Sequence, residues 1–308
     1  MPLLRSAFIA LSQNSLLRRF VERSAPGRRM SARFVAGFRI EDAMTAATAL
    51  HQQGFSVTLD HLGESVSTAV QARQAAQIYH WLLDAIAPSG LHANVSLKLT
   101  QMGIDLDPAL ALELVTALVR HAADAGNFVR VDMEGTQYTQ ATIDLVRRLH
   151  AAPENRGHVG IVIQAYLRRS ADDIAGLLQD GIRIRLCKGA YKEPPSLAFP
   201  DKKEVDASYI ALMKTLLKSG VFHGIATHDP AMIAATKDFA RAERISPSAF
   251  EFQMLYGIRR DLQRSLAQEG YGVRVYVPFG DEWYPYFMRR LAERPANVLF
   301  LARNLLRR

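Results

Sequence analysis

Residues 128–135 read FVRVDMEG. In an extended strand successive side chains point to opposite faces, so Val129, Val131 and Met133 share one face and Arg130, Asp132 and Glu134 the other. The same split recurs along the chain. NVSLKLT (94–100) sets Val95, Leu97 and Leu99 against Asn94, Ser96 and Lys98. GIRIRLCKG (181–189) sets Ile182, Ile184 and Leu186 against Arg183, Arg185 and Cys187, and GVRVYVPFG (272–280) sets three valines against Arg274 and Tyr276. With SVTLDHLG (56–63), VGIVIQAY (159–166), FHGIATHD (222–229) and AFEFQML (249–255) there are eight strand candidates. Helical patterns such as DPALALELVTALVRHAADAG (107–126) and SADDIAGLLQDG (170–181) fill the intervals, with Gly126 and Gly181 where helix C-caps fall. Eight strands each followed by a helix predict an α/β fold, a (βα)8 TIM barrel. We divide the chain into an N-terminal helical arm (1–50) and the barrel (51–308).

The parity carries a second message. The apolar faces must meet the surrounding helices, so the polar faces point into the barrel. Ordinary barrels fill that space with branched aliphatic side chains; this one lines it with Lys, Asp, Glu, Arg, Gln and Tyr. Buried charge costs several kcal/mol per ion unless it is paired or liganded. The interior is therefore either a salt-bridge network or a site. Strand ends at the C-terminal face carry the chemistry of such barrels. Here they offer Asp60, His61 and Glu64, then Lys98, Asp132 and Glu134, Gln164 and Tyr166, Arg185 and Lys188, Thr227, His228 and Asp229, and finally Gln253 and Tyr276.

Composition sets the outer bounds. The chain has 308 residues, 49% hydrophobic and 22% charged, ample for a large core. One cysteine, Cys187, excludes an intramolecular disulfide and a Cys-based zinc cage, and fits a reducing, cytoplasmic compartment. The net charge of +8 is spread along the chain without a zinc-finger or RRM pattern, so no nucleic-acid partner is expected. The basic N-terminus, MPLLRSAFIALSQNSLLRRFVERS, resembles a targeting peptide, but its apolar runs are broken by Arg5, Gln13 and Asn14; we read it as an amphipathic arm. The ending NVLFLARNLLRR is short, apolar and basic; it suits either a membrane surface or a docked terminal helix.

Three chemistries compete for the polar ring. A metal-dependent hydrolase built on His61, His228 and carboxylates lacks His-x-His and His-Glu-x-x-His spacing. A Schiff-base lyase or aldolase would use Lys98, a strand lysine whose reactivity burial can tune. A cofactor enzyme would hold a dinucleotide with Arg185, Lys188 and His228, with LCKGAY (186–191) letting backbone approach phosphate. Near the end, YPYFMRRLAE (284–293) places Pro285 at a helix start and Tyr286, Arg289, Arg290 and Glu293 on one face. That face is either a solvated surface or a clamp for an anion.

The motifs DHLGE (60–64), SLKLT (96–100), VDMEG (131–135), QAY (164–166), RLCKGAY (185–191), ATHD (226–229), EFQMLYG (251–257) and YPYFMRRLAE (284–293), in this order, resemble the proline dehydrogenase family. The resemblance covers about residues 35–300, and the length is similar to that of the monofunctional bacterial enzymes, without room for an aldehyde dehydrogenase module. It implies a distorted (βα)8 barrel holding FAD that oxidises L-proline to Δ1-pyrroline-5-carboxylate by hydride transfer to flavin N5. Electrons would pass to a membrane quinone, with the enzyme peripheral to the inner face of the cytoplasmic membrane. The product would feed a pyrroline-5-carboxylate dehydrogenase, the next step of proline catabolism to glutamate. Carried over residue by residue, Asp132 and Arg185 are catalytic, Arg185 lying against the flavin. Met133, Gln164, Lys188, Gly189, Ala190, Thr227 and His228 join Arg185 in contacting FAD. Lys98, Arg289 and Arg290 bind the proline carboxylate, and Tyr191, Leu255, Tyr276 and Tyr286 shape the pocket. Glu64 pairs with Arg289 as a gate.

Two positions depart from the family pattern: Asp229, where asparagine is frequent, and Tyr256, where histidine is frequent. The first puts a carboxylate where it would weaken FAD binding slightly. The implied chemistry is coherent: arginines supply bidentate donors for a carboxylate, and nearby cations favour the neutral amine that must release electrons. A cation beside the flavin stabilises its reduced, anionic form.

Overall fold

The computed structural model describes residues 32–63 and 65–293, with side chains to Met288. Helix α1 (Ile40–His51) precedes β1 (Ser56–His61), and seven alternations follow: α2 (Ala69–Ile86), β2 (Ala93–Leu97), α3 (Pro108–Asp124), β3 (Val129–Val131), α4 (Thr136–Ala151), β4 (Val159–Gln164), α5 (Ser170–Gln179) and β5 (Arg183–Cys187). The chain continues through α6 (Lys202–Lys218), β6 (His223–Ala226), α7 (Pro230–Ala242), β7 (Phe250–Leu255), α8 (Arg260–Gln268), β8 (Gly272–Phe279) and α9 (Trp283–Glu293). The eight strands close into one barrel in sequence order, β1 pairing in parallel with both β2 and β8. The predicted (βα)8 architecture is present, and each predicted strand is found.

The ladders stop earlier than the hydrophobic pattern. β3 ends at Val131 and β2 at Leu97, so Asp132, Glu134 and Lys98 stand just past the paired segments, where the backbone turns toward the helices. Sequence parity still sets their direction, because the Asp132 amide donates to Leu97 O at 2.8 Å and prolongs the extended geometry by one residue. Outward-facing Val95, Leu97, Val129, Val131, Ile161, Ile184, Leu186 and Val275 are fully buried under the helices in one continuous core. Burying each such side chain contributes about 1.5–3 kcal/mol.

Helix starts follow local chemistry. Asp107 and Asp229 each accept from the amide two residues on, at 2.8 and 3.0 Å, and each is followed by proline at the first helical position. Helix α4 follows Gly135, which has no capping side chain; Glu193 from the β5–α6 loop supplies the acceptor, taking Thr136 N at 2.9 Å and Thr136 Oγ1 at 2.6 Å. That bond ties the β5–α6 loop across the mouth. Gly126 and Gly181, at φ of 63° and 72°, end helices as predicted. Helix α9 starts at Trp283, two residues before the expected Pro285. Trp283 is buried against Phe287 and, with Tyr284, Tyr286 and Met288, joins Phe34, Val35 and Leu62 in a second apolar cluster. Proline is tolerated there because first-turn amides have no intrahelical acceptor. The N-terminal arm as drawn from sequence lies mostly before residue 32, outside the described residues. Among the described residues, no helix is long and apolar enough to cross a membrane. A cavity of about 350 Å3 between α1 and α8, lined by Leu50, Phe55, Tyr256 and Arg260, contains none of the polar ring residues.

His223 joins β5 to β6. Its Nδ1 accepts from Ile184 N at 3.0 Å while its Nε2 faces Ser219 Oγ at 3.0 Å, which requires the neutral ring. Burial, reinforced by Arg130, pushes its pKa down to about 3. The folded state therefore binds fewer protons than the unfolded chain between that value and an unfolded pKa near ~6.5. Stability should be retained above that window and fall as pH drops into it, by on the order of 3 kcal/mol by pH 4. Urea unfolding between pH 7 and pH 4 checks this: His223→Asn, which keeps an acceptor but does not titrate, should flatten the decline.

Candidate active site

The interior is organised around Arg185, which reaches in from β5. Its Nη1 donates to Asp132 Oδ1 at 2.9 Å and lies 3.4 Å from Ser96 Oγ; its Nε donates to Gln253 Oε1 at 2.5 Å. Ser96 itself donates to Asp132 Oδ1 at 2.7 Å. The other oxygen, Oδ2, accepts from Tyr276 OH at 2.8 Å, and the Tyr276 ring packs on the guanidinium at 5.1 Å. Side chains from β2, β5 and β8 thus converge on one buried carboxylate at the end of β3, and Gln253 of β7 holds its arginine partner.

Lys98 Nζ lies 3.3 Å from Asp60 Oδ1 and 3.7 Å from Asp132 Oδ2. The two aspartates respond oppositely. Burial raises Asp60 above the ordinary carboxylate range despite Lys98. Burial also opposes ionisation of Asp132, but Arg185 and Lys98 outweigh it and hold that group below the ordinary range. Burial and the two carboxylates push the Tyr276 phenol well up, so it remains a hydrogen-bond donor. Two carboxylates stabilise the positive charge of Lys98, whereas a Schiff-base nucleophile needs a neutral amine; this geometry disfavours the lyase reading. His61 packs edge-on against Tyr79 and Phe279 rather than joining Asp60. Among the described residues, no group of three His, Cys, Asp or Glu side chains is placed to hold a metal ion.

A second set of groups lines the ends of β4 to β6. Gln164 Nε2 donates to Glu134 O at 2.9 Å and its Oε1 accepts from Ala190 N at 3.3 Å. Glu134 is held in turn by Thr100 N and Thr100 Oγ1 at 3.1 and 2.6 Å. Gly189 has φ of 120°, and a methyl there would overlap the Tyr166 ring, so only glycine fits. Lys188 is ion-paired with Asp206 and, at 2.7 Å, with Asp229. Burial, outweighing the pull of Arg185, drives Cys187 up to about 12, leaving it a neutral lining thiol. His228 Nε2 accepts from Leu255 N at 2.8 Å, locking β6 to β7, and Thr227 Oγ1 accepts from Asp229 N at 3.0 Å. Met133 is buried beside this set and Tyr191 is exposed at its rim.

Lys98, Asp132, Arg185 and Tyr276 thus form one cluster, and Gln164, Gly189 and Ala190 a second. Lys188, Thr227, His228 and Leu255 are tied to the loops beyond β5 to β7. Tyr286 is buried in the apolar cluster that anchors α9. Glu64 and the side chains of Arg289 and Arg290 lie outside the described residues. Strand-end reading passed over Ser96, Glu251 and Asp206. Parity places Ser96 with Lys98 and Glu251 with Gln253 on inward faces, so the signal for those two was present; nothing in the sequence pairs Asp206 with Lys188.

Comparison with known proteins agrees with this architecture. The sequence profile of the proline dehydrogenase family matches residues 43–303. Proline dehydrogenase 1 of Bacillus subtilis (strain 168) is 43% identical over 307 residues, 99% of this chain and 100% of that protein. The proline dehydrogenase of Deinococcus radiodurans is 41% identical over 281 residues, 90% of each chain. Among solved structures, proline utilization A (PutA) from Bdellovibrio bacteriovorus, inactivated by N-propargylglycine, superposes with a TM-score of 0.83 at 24% identity, over 94% of this chain and 36% of that one. By the profile match and by full-length identity to its relatives, this chain belongs to the proline dehydrogenase family.

Proposed function

We propose that this protein oxidises L-proline to Δ1-pyrroline-5-carboxylate with FAD as its cofactor and passes the electrons to a membrane quinone. The observation that carries the cofactor reading is Arg185. Its Nη2 is buried and finds no hydrogen-bond partner among the described residues, although Nε and Nη1 are both bonded. A buried cationic N–H left open costs free energy unless a ligand completes it. The donors and the glycine cradle at the ends of β4 to β6 suit an anionic, planar cofactor: Gln164, Lys188, Gly189, Ala190, Thr227 and His228, with Met133 beside them. When bound, FAD supplies the two-electron acceptor, taking the hydrogen leaving the proline ring at N5.

The chain's own residues bind, orient and set charge. Asp132 and Gln253 hold the Arg185 guanidinium toward the cofactor, where positive charge stabilises the reduced state. Around Lys98 and Arg185 the described residues place three carboxylates, Asp60, Asp132 and Glu134, while Lys188 is already matched by Asp206 and Asp229. A substrate carboxylate therefore needs further cations. We assign them to Arg289 and Arg290 on α9, acting with Lys98, while Tyr276, Leu255, Tyr191 and Tyr286 bound the ring of the substrate. The same cations disfavour a protonated proline nitrogen, which must be neutral to release electrons. We assign Glu64 to a gate with Arg289. The basic, apolar ending 297–308 supports contact with the cytoplasmic membrane face, where a quinone would be met. The product would pass to a dehydrogenase acting on an aldehyde-level intermediate.

The purified protein should be yellow, and anaerobic L-proline should bleach the visible flavin band; a protein that stays colourless with added FAD and leaves proline unchanged would overturn the reading. Arg289→Met and Arg290→Met should each raise KM for proline about tenfold or more, as expected from losing a charge-assisted contact, with flavin content retained. Lys98→Met should also raise KM for proline.

A further inference from the structure

Gln253 and Glu251 lie two apart on β7, on the inward face below Arg185. Gln253 Oε1 accepts from Arg185 Nε, and Gln253 Nε2 donates to Glu251 Oε1 at 2.7 Å. The same Glu251 oxygen accepts from Arg274 Nε at 2.7 Å. Arg274 is fixed in its turn by Val57 O at 2.7 Å and Asn94 Oδ1 at 3.1 Å. All three side chains of this path, Glu251, Gln253 and Arg185, are buried. A side chain on the neighbouring strand at Gly224 would collide with the Gln253 amide, so β6 leaves room for it.

The chemistry of the two ends fixes the amide. Arg185 can only donate and an ionised Glu251 can only accept, so oxygen must face the guanidinium and nitrogen the carboxylate. A flipped amide would set two donors against each other at one end and two acceptors at the other, deep in the barrel. Asp132 and Ser96 hold one edge of the guanidinium and the Tyr276 ring packs on its face, which leaves its rotation within that plane the least constrained. A second bond at Nε removes the rotation and directs Nη2, the donor without a partner.

We propose that Gln253, polarised by Glu251, is the positioning residue that aims Arg185 at its ligand. The proposal rests on the FAD reading above, in which that ligand is the cofactor. Glu251 acts only through Gln253, and Arg274 through Glu251.

The test uses the full-length protein loaded with FAD. Gln253→Leu should weaken FAD binding about tenfold, read by titrating apoprotein with FAD and following flavin fluorescence. It should lower kcat for proline about thirtyfold, with KM within about threefold because the carboxylate clamp is untouched. Gln253→Glu serves where the leucine variant fails to fold. Its carboxyl, when protonated, offers an acceptor to Arg185 and a donor to Glu251, as the amide does. When ionised it can only accept and repels Glu251. Its FAD affinity and kcat, each taken relative to the wild type at the same pH, should therefore fall as pH rises. Glu251→Gln should retain more activity than Glu251→Leu. Wild-type affinity and kcat in Gln253→Leu, or a wild-type pH profile in Gln253→Glu, overturns the proposal. Failure of the wild type itself to bind FAD overturns instead the cofactor reading on which it stands.

Discussion

The buried pair Arg185–Asp132 is the constraint around which the barrel is arranged. A charge at that depth is tolerable only if most of the polar atoms around it are matched, because isolated desolvated ions cost several kcal/mol. The matching groups come from around the barrel: Ser96 and Lys98 from β2 and its end, Gln253 from β7, Tyr276 from β8 and Asp60 from β1. Register is fixed by the same demand. Slipping any of these strands by one residue would turn its polar group toward the apolar helices and a valine or leucine into the ring. The ion pair thus helps to specify the strand alignment.

The two ends of the barrel solve the charge problem differently. Below the site, Arg130 donates to Ile161 O and Arg183 O at 3.0 and 2.6 Å, and Arg130 and Arg183 each stack on Phe128 at 4.7 Å. Gly160 leaves the space that the Arg130 guanidinium needs. Backbone carbonyls, an aromatic ring and Glu251 absorb the positive charge there. Above, Arg185 is bonded at two of its nitrogens and open at the third. An unpartnered guanidinium nitrogen is not confined to that level, since Arg130 Nε and Arg183 Nε are buried below without a partner among the described residues; what sets Arg185 apart is that its open Nη2 belongs to the side chain paired with Asp132.

The fold was legible because strand and helix periods alternate cleanly and because the polar face repeats in phase on four strands. That phase survived even where β3 shortened to three residues, since parity depends on local extended geometry and not on ladder length. The roles at the mouth were legible only as a ring of candidates. Parity says that Asp60 and Asp132 face inward; it does not say that Lys98 sits between them, which depends on barrel closure. It cannot say that Asp60 is raised while Asp132 is lowered, because that difference comes from Arg185, two strands from Asp132 around the barrel. Glu193 capping α4 and Asp206 holding Lys188 are loop-to-helix contacts with no periodic signature. The N-terminal boundary of α9 was misread by two residues because proline suggested a start that a buried tryptophan in fact sets.

Charge accounting at the mouth says why the end of the chain matters to specificity. A cup holding Asp60, Asp132 and Glu134 against Lys98 and Arg185 should attract an amine more readily than a carboxylate. An amino-acid substrate carries both, so the site must add positive charge on one side to orient it. If that charge comes from α9, as proposed above, two duties that would conflict on the strands are separated. The ring could then stay internally paired without substrate, with the proposed clamp carried by the helix. The apolar cluster of Trp283, Tyr284, Phe287, Phe34 and Val35 then has a clear physical purpose. It packs the first turns of α9 against the barrel through apolar burial.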